Sequence, residues 1–207
     1  VKTQTALLAA LLACACETQG TDVSVQNGRT VGTTVYVSFG SDSKVTAADW
    51  PFCTGSGLSC SFPLPAGETK ALPNAAHAYL NATFSFDAEV GCGVTKAEVN
   101  VNNPAWYDTL DVSLVDGYSD DVQITAVPTG GASAVLGPPL GKSGNEAVYG
   151  LFPFGCDVCV ARQNPPCGIA KGTAGCKAGT QYDPAVPCQW QGPTKGGGGS
   201  ATIALLP

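Results

Sequence analysis

The chain has 207 residues, of which 44% are hydrophobic, enough for one β-rich domain with a real core and too few for a second full domain. Its net charge is −6 at neutral pH, and ten scattered Lys and Arg residues form no basic stripe that could follow a phosphate backbone, so nucleic acid is excluded as a partner. The 26 Gly and 15 Pro mark a folded, turn-rich chain, below the roughly 25–30% that signals low-complexity disorder.

Residues 1–16 carry Lys2, an apolar run from Ala6 to Ala13 and then Cys14-Ala15-Cys16, the pattern of an export signal. The run is too short for a membrane-spanning helix, which needs roughly 20 apolar residues. Leu11-Leu12-Ala13-Cys14 also resembles a bacterial lipoprotein box, which makes Cys14 a lipidation candidate and simple secretion the alternative. A lipid at Cys14 is the only membrane attachment expected. Methionine is absent. Either Val1 is written for an initiating codon or the chain starts upstream.

Strand-like alternation follows at 22–26, 33–39, 79–86, 96–101, 111–114, 122–127 and 201–205, between clusters of Gly, Pro, Asn and Asp. In 96–102, Ala97, Val99 and Val101 point one way while Lys96, Glu98, Asn100 and Asn102 point the other, which predicts a strand with one buried face. No segment sustains a helical period with caps over three turns, so an all-β sandwich is expected over 21–154. Residues 155–192 hold five cysteines among Pro, Gly and polar residues and read as a loop-rich lobe held by bridges. Residues 193–207 then read as a glycine link and a last strand returning to the sandwich.

Beyond the export signal lie eight cysteines, Cys53, Cys60, Cys92, Cys156, Cys159, Cys167, Cys176 and Cys188, an even number suited to four bridges in an oxidising compartment. A zinc site is not expected, since Cys156-x2-Cys159 has no second such pair and His77 is the single histidine. No phosphate-cradling glycine loop or nucleophilic triad is present, and no cofactor is expected. Asn81-Ala82-Thr83 matches a glycosylation acceptor but falls inside a predicted strand, where chance is the better explanation. Asp108, Asp120 and Asp121 read as surface charges on loops.

The stretch Trp106-Tyr107-Asp108-Thr109-Leu110-Asp111-Val112-Ser113-Leu114-Val115-Asp116-Gly117-Tyr118, preceded by Thr95-Lys96-Ala97-Glu98-Val99, resembles the signature of the thaumatin-like family. The pattern from Cys159 through Ala161 and Asn164 to Cys167, and the closing run Ala201–Pro207, are similar to that family too. The resemblance implies a thaumatin-like antiparallel sandwich with a small cysteine-rich lobe. It also implies an acidic cleft to which Glu98, Asp111 and Asp116 correspond, with Asp183 and Tyr118 as further candidates. The family's cleft arginine has no counterpart, because Lys70 is the only Lys or Arg between Leu64 and Val94. A family cysteine pair is replaced by Gly28 and Leu206, so the last strand is expected to be held by hydrogen bonds and packing alone.

Asp111 and Asp116 lie five residues apart, which puts them on opposite faces of a straight strand, so one groove needs a turn or bulge near Val115. Trp106, Tyr107, Tyr118 and Phe84 are either sugar-stacking platforms or core residues. The function implied by the resemblance is an extracytoplasmic, monomeric module binding β-glucan-like polysaccharide or another cell-wall glycan, with a defence or antifungal role. Two alternatives stand beside it: a weak endo-β-1,3-glucanase using Glu98 and Asp111, and a structural or protein-binding envelope protein.

Overall fold

A computed structural model describes residues 20–91, 94–113, 119–137 and 189–207. These hold β1 (Thr21–Asn27), β2 (Thr33–Phe39), β3 (Thr54–Ser56), β4 (Ser59–Leu64), β5 (Thr69–Leu72) and β6 (Leu80–Phe86). They continue with β7 (Lys96–Val101), β8 (Tyr107–Ser113), β9 (Val122–Pro128), β10 (Ala134–Leu136), β11 (Gln189–Lys195) and β12 (Gly199–Leu205). The strands form a five-stranded sheet, β10-β9-β12-β1-β5, and a seven-stranded sheet, β11-β8-β7-β6-β2-β4-β3.

Period-two alternation explains why the sheets stack. Val23 and Val25 of β1, Ile124 of β9 and Ile203 of β12 bury one face of the smaller sheet. Val35, Val37, Phe84, Val99 and Leu110 bury the facing side of the larger one. Trp50, from a short 3₁₀ turn, sits in this core with its ring 5.0 Å from Phe39 and 6.4 Å from Phe84. Its indole N–H donates to the Pro73 carbonyl at 2.8 Å, so the ring is buried without an orphaned donor. Phe84 therefore belongs to the core, not to a sugar platform.

All seven expected strands are present, and five more join them. β4 carries Pro63, which argues against a central strand, but β3 pairs only with Ser59–Ser61, so the missing N–H interrupts no ladder. β11 lies at the margin of its sheet and tolerates Gly192 and Pro193 at an irregularity between Gln191 and Lys195. Cys53 and Cys60 form a disulfide across the β3–β4 hairpin. The other six cysteines expected in bridges, and Cys14, lie outside the described residues.

β12 lies between β1 and β9, parallel to the former and antiparallel to the latter. Gly28 N–H adds a bond of 2.8 Å to the Leu205 carbonyl, and Leu206 N–H donates to Asp121 at 2.9 Å. A Cβ on Gly28 would stand 2.8 Å from the Leu205 oxygen, so no side chain fits there without a backbone shift. Gly28→Ala is expected to lose about 1–3 kcal/mol in urea denaturation, the usual penalty of forced overpacking. An unchanged midpoint would show that the strand ends give way freely.

Two aspartates read as surface charges are instead buried. Asp120 is 8% exposed, accepts from Arg29 at 2.5 Å and from the Ser119 hydroxyl at 2.6 Å, and its own N–H donates to Thr95. Asp108 is 2% exposed and faces inward beside Leu110 and Val112 on β8. Its carboxylate accepts from the Thr21 hydroxyl and from Asn102 N–H, the latter at 2.8 Å. Thr21 and Asn102 also bond each other, Thr21 N–H to the Asn102 side-chain oxygen at 2.6 Å and Asn102 Nδ2 to the Thr21 carbonyl at 3.0 Å. Gly198 N–H donates to the Thr21 hydroxyl at 2.8 Å, so the β11–β12 turn is tied to the same cluster.

Candidate functional site

The alternation that buries Ala82, Phe84, Ala97, Val99 and Leu110 turns the intervening polar residues outward. Register aligns them across three strands. Thr83 stands opposite Glu98, and Glu98 opposite Asp111; one step along, Asn81 stands opposite Asn100, and Asn100 opposite Thr109. These two polar rungs line a groove of about 300 Å³. Sequence separation hides this arrangement, while the strand alternation of β6, β7 and β8 carries the only signal for Asn81, Thr83, Asn100 and Thr109.

Glu98 is exposed, whereas Asp111 is only 8% exposed. Burial pushes the Asp111 carboxyl up to about 8, and the neighbouring Glu98 charge adds to the rise. At pH 7 the pair therefore consists of a neutral acid and a carboxylate that opposes it across the ladder. Asp111 Oδ1 and Asn100 Oδ1 are buried acceptors with no hydrogen-bond partner among the described residues. Both residues line the groove. An uncompensated buried acceptor costs about 1–3 kcal/mol, which a donor on a bound molecule would recover.

Asn81, the candidate glycosylation residue, donates from Nδ2 to Asp42 at 2.8 Å and thereby holds the Asp42 carboxyl below the usual carboxylate range. Tyr79 links the groove to the adjoining loops: its hydroxyl accepts from Asn100 Nδ2 and donates to Asp42, both at 3.1 Å. Trp106 is 53% exposed at the β7–β8 turn, with Tyr107 edge-on to it at 5.9 Å. Tyr107 shares the outer face of β8 with Thr109 and Asp111. Lys70, the only Lys or Arg between Leu64 and Val94, lies on β5 of the other sheet with its ammonium 4.5 Å from the Phe52 ring centroid, so it supplies no cation to the groove.

Of the candidate cleft residues, Glu98 and Asp111 are thus brought together, while Asp116, Tyr118 and Asp183 lie outside the described residues. No protein-family model matches the chain, and no curated protein matches it. Among solved structures it is similar to the thaumatin-like xylanase inhibitor TLXI, at 13% identity and a TM-score of 0.43, over 89% of this chain and 99% of that one. It is also similar to the protein elicitor MoHrip2 from Magnaporthe oryzae, at 13% identity and a TM-score of 0.40, over 90% and 99%. In motif and in two-sheet β architecture the chain resembles the thaumatin-like proteins.

Proposed function

We propose that the chain is an extracytoplasmic carbohydrate-binding protein whose groove takes a neutral glycan of the β-glucan type. The observation that carries this reading is the unpartnered pair Asp111 Oδ1 and Asn100 Oδ1 on a floor otherwise built of hydroxyl, amide and carboxyl groups. Sugar hydroxyls both donate and accept. The groove answers with acceptors at Asn100 and Glu98, a neutral carboxylic acid at Asp111 that can also donate, and the hydroxyls of Thr83 and Thr109. Tyr107 lies farther along the same face of β8, with Trp106 edge-on to it. The Cys53–Cys60 bridge suits an oxidising compartment.

A weak glycosidase is the second reading, favoured by the pairing of a protonated acid with a carboxylate. Glu98 and Asp111 stand directly opposite each other across the β7–β8 ladder, which brings the two carboxyl-bearing side chains side by side. In that case Asp111 would act as the acid and Glu98 as the nucleophile.

Titration with laminarin oligosaccharides separates the readings. Saturable binding is expected, weakened roughly tenfold by Glu98→Gln, the loss of one charge-assisted hydrogen bond. A reducing-sugar assay on laminarin that gives product with wild type and none with Glu98→Gln would establish the enzyme instead. Absence of binding to any β-glucan would remove both readings and leave a structural or protein-binding role.

A further inference from the structure

A second and larger cavity, of about 980 Å³, opens at the end of the sandwich where the β5–β6, β7–β8 and β11–β12 connections meet. Ala76, Ala78 and Pro104 give it apolar walls, His77 lines it, and its cationic side chains are Lys44 and Lys195, the latter with its ammonium 5.8 Å from the Tyr107 ring centroid. No described carboxylate lines it. In a chain of net charge −6, this one site gathers the single histidine and two of the five Lys and Arg residues that are described.

The acids nearby stand outside the lining, each with partners of its own. Asp22 lies 3.4 Å from His77 Nε2, Asp42 accepts from Tyr79 and Asn81, and Asp108 is buried against Thr21 and Asn102. Backbone strain is also concentrated here. Four described non-glycine residues have positive φ, and three of them, Ala76 at 56°, His77 at 48° and Asn102 at 64°, line this cavity. Asn102 is held by the Asp108 cluster and the Ala76 turn is bracketed by Asn74, whose carbonyl accepts from His77 N–H at 3.2 Å and whose Nδ2 donates to the Ala78 carbonyl at 2.7 Å; such strain gathers at ligand sites.

We propose that this cavity binds a small amphipathic carboxylate, its apolar tail against Ala76, Ala78 and Pro104 and its anionic head toward the Lys44 and Lys195 ammonium groups. The volume falls in the range of small-molecule sites, and a cationic rim over apolar walls matches an anion with an apolar body better than a neutral sugar. The site shares no lining residue with the Glu98–Asp111 groove, which it adjoins through the Tyr79–Asn100 hydrogen bond, and does not depend on glycan binding there.

Isothermal titration of the full chain with decanoate, at concentrations below micelle formation, tests this. Saturable 1:1 binding is expected, at least tenfold tighter than for decanol, and weakened at least tenfold in the Lys44→Gln/Lys195→Gln double variant while its melting temperature stays unchanged. Equal affinity for decanoate and decanol, unchanged affinity in the double variant, or no saturable binding of decanoate would each overturn the proposal.

Discussion

Replacing Asp111 by asparagine is expected to raise stability at pH 8–9 by up to about 5 kcal/mol and to flatten the fall in stability that wild type shows between pH 4 and pH 8. The carboxyl is carried from 3.8 to about 8 on folding, first by burial and then by the charge on Glu98. In that window the unfolded chain releases the proton while the folded chain keeps it. The folded state therefore binds more protons, and stability decreases as pH rises. The contribution is complete below about pH 4 and lost once the folded carboxyl ionises near pH 8. About four pH units at about 1.36 kcal/mol each set the upper bound, which solvent relaxation lowers. Asparagine does not titrate, so this part of the slope should vanish. Urea denaturation at unit steps from pH 4 to pH 9 would show it, and parallel profiles for variant and wild type would mean that Asp111 is solvated like an ordinary carboxylate. Glu98→Gln should shift the wild-type profile less than Asp111→Asn, because burial outranks the Glu98 charge as a cause.

The second large effect is expected at Asp108, where alanine should lower stability by about 3 kcal/mol or more. Two buried donors, the Thr21 hydroxyl and Asn102 N–H, would lose their acceptor together, each at a desolvation penalty of about 1–3 kcal/mol. The damage extends to the β11–β12 turn, since a Cβ on Gly197 would sit 2.6 Å from the Asp108 carboxylate oxygens and Gly198 N–H is bonded to Thr21. Burial already holds the Asp108 carboxyl above the usual range despite those hydrogen bonds. Asp108→Asn keeps an acceptor without a charge and should therefore lose less than alanine. Thermal melts of the two variants at pH 7 decide the matter: a loss under about 1 kcal/mol for alanine would show that the cluster closes over the gap.

Strands with clean alternation were legible from residues alone. Lys96 to Val101 shows why: three small or branched apolar residues on one side and charged or amide residues on the other leave one orientation in water. β4 and β11 were not legible, because each contains proline, which a strand tolerates only where a neighbour is missing, and whether a neighbour is missing is a property of the assembled sheet. The candidate site was legible in part. Glu98 and Asp111 were singled out by motif, and the register now places them directly opposite each other. Asn100 and Thr109 were not found, since amides and hydroxyls on an outer strand face look the same whether they meet water or ligand. Asp108 was misjudged for the complementary reason. A carboxylate between Tyr107 and Thr109 suggests a surface loop until the partners that surround it, 6 and 87 residues away, are brought together.

Placing β12 between β1 and β9 ties the smaller sheet to the order in which the chain is made. Residues 199–205 leave the ribosome some 170 residues after β1, and until they arrive β1 and β9 have no common neighbour. Pairings of such long range are slow to close, because the chain entropy of a large loop is lost before any contact rewards it. The nascent chain thus carries an open flank on β1, joined later by one on β9, until residues 199–205 arrive to cover both, and such unpaired flanks are where a strand of another chain can add in the meantime.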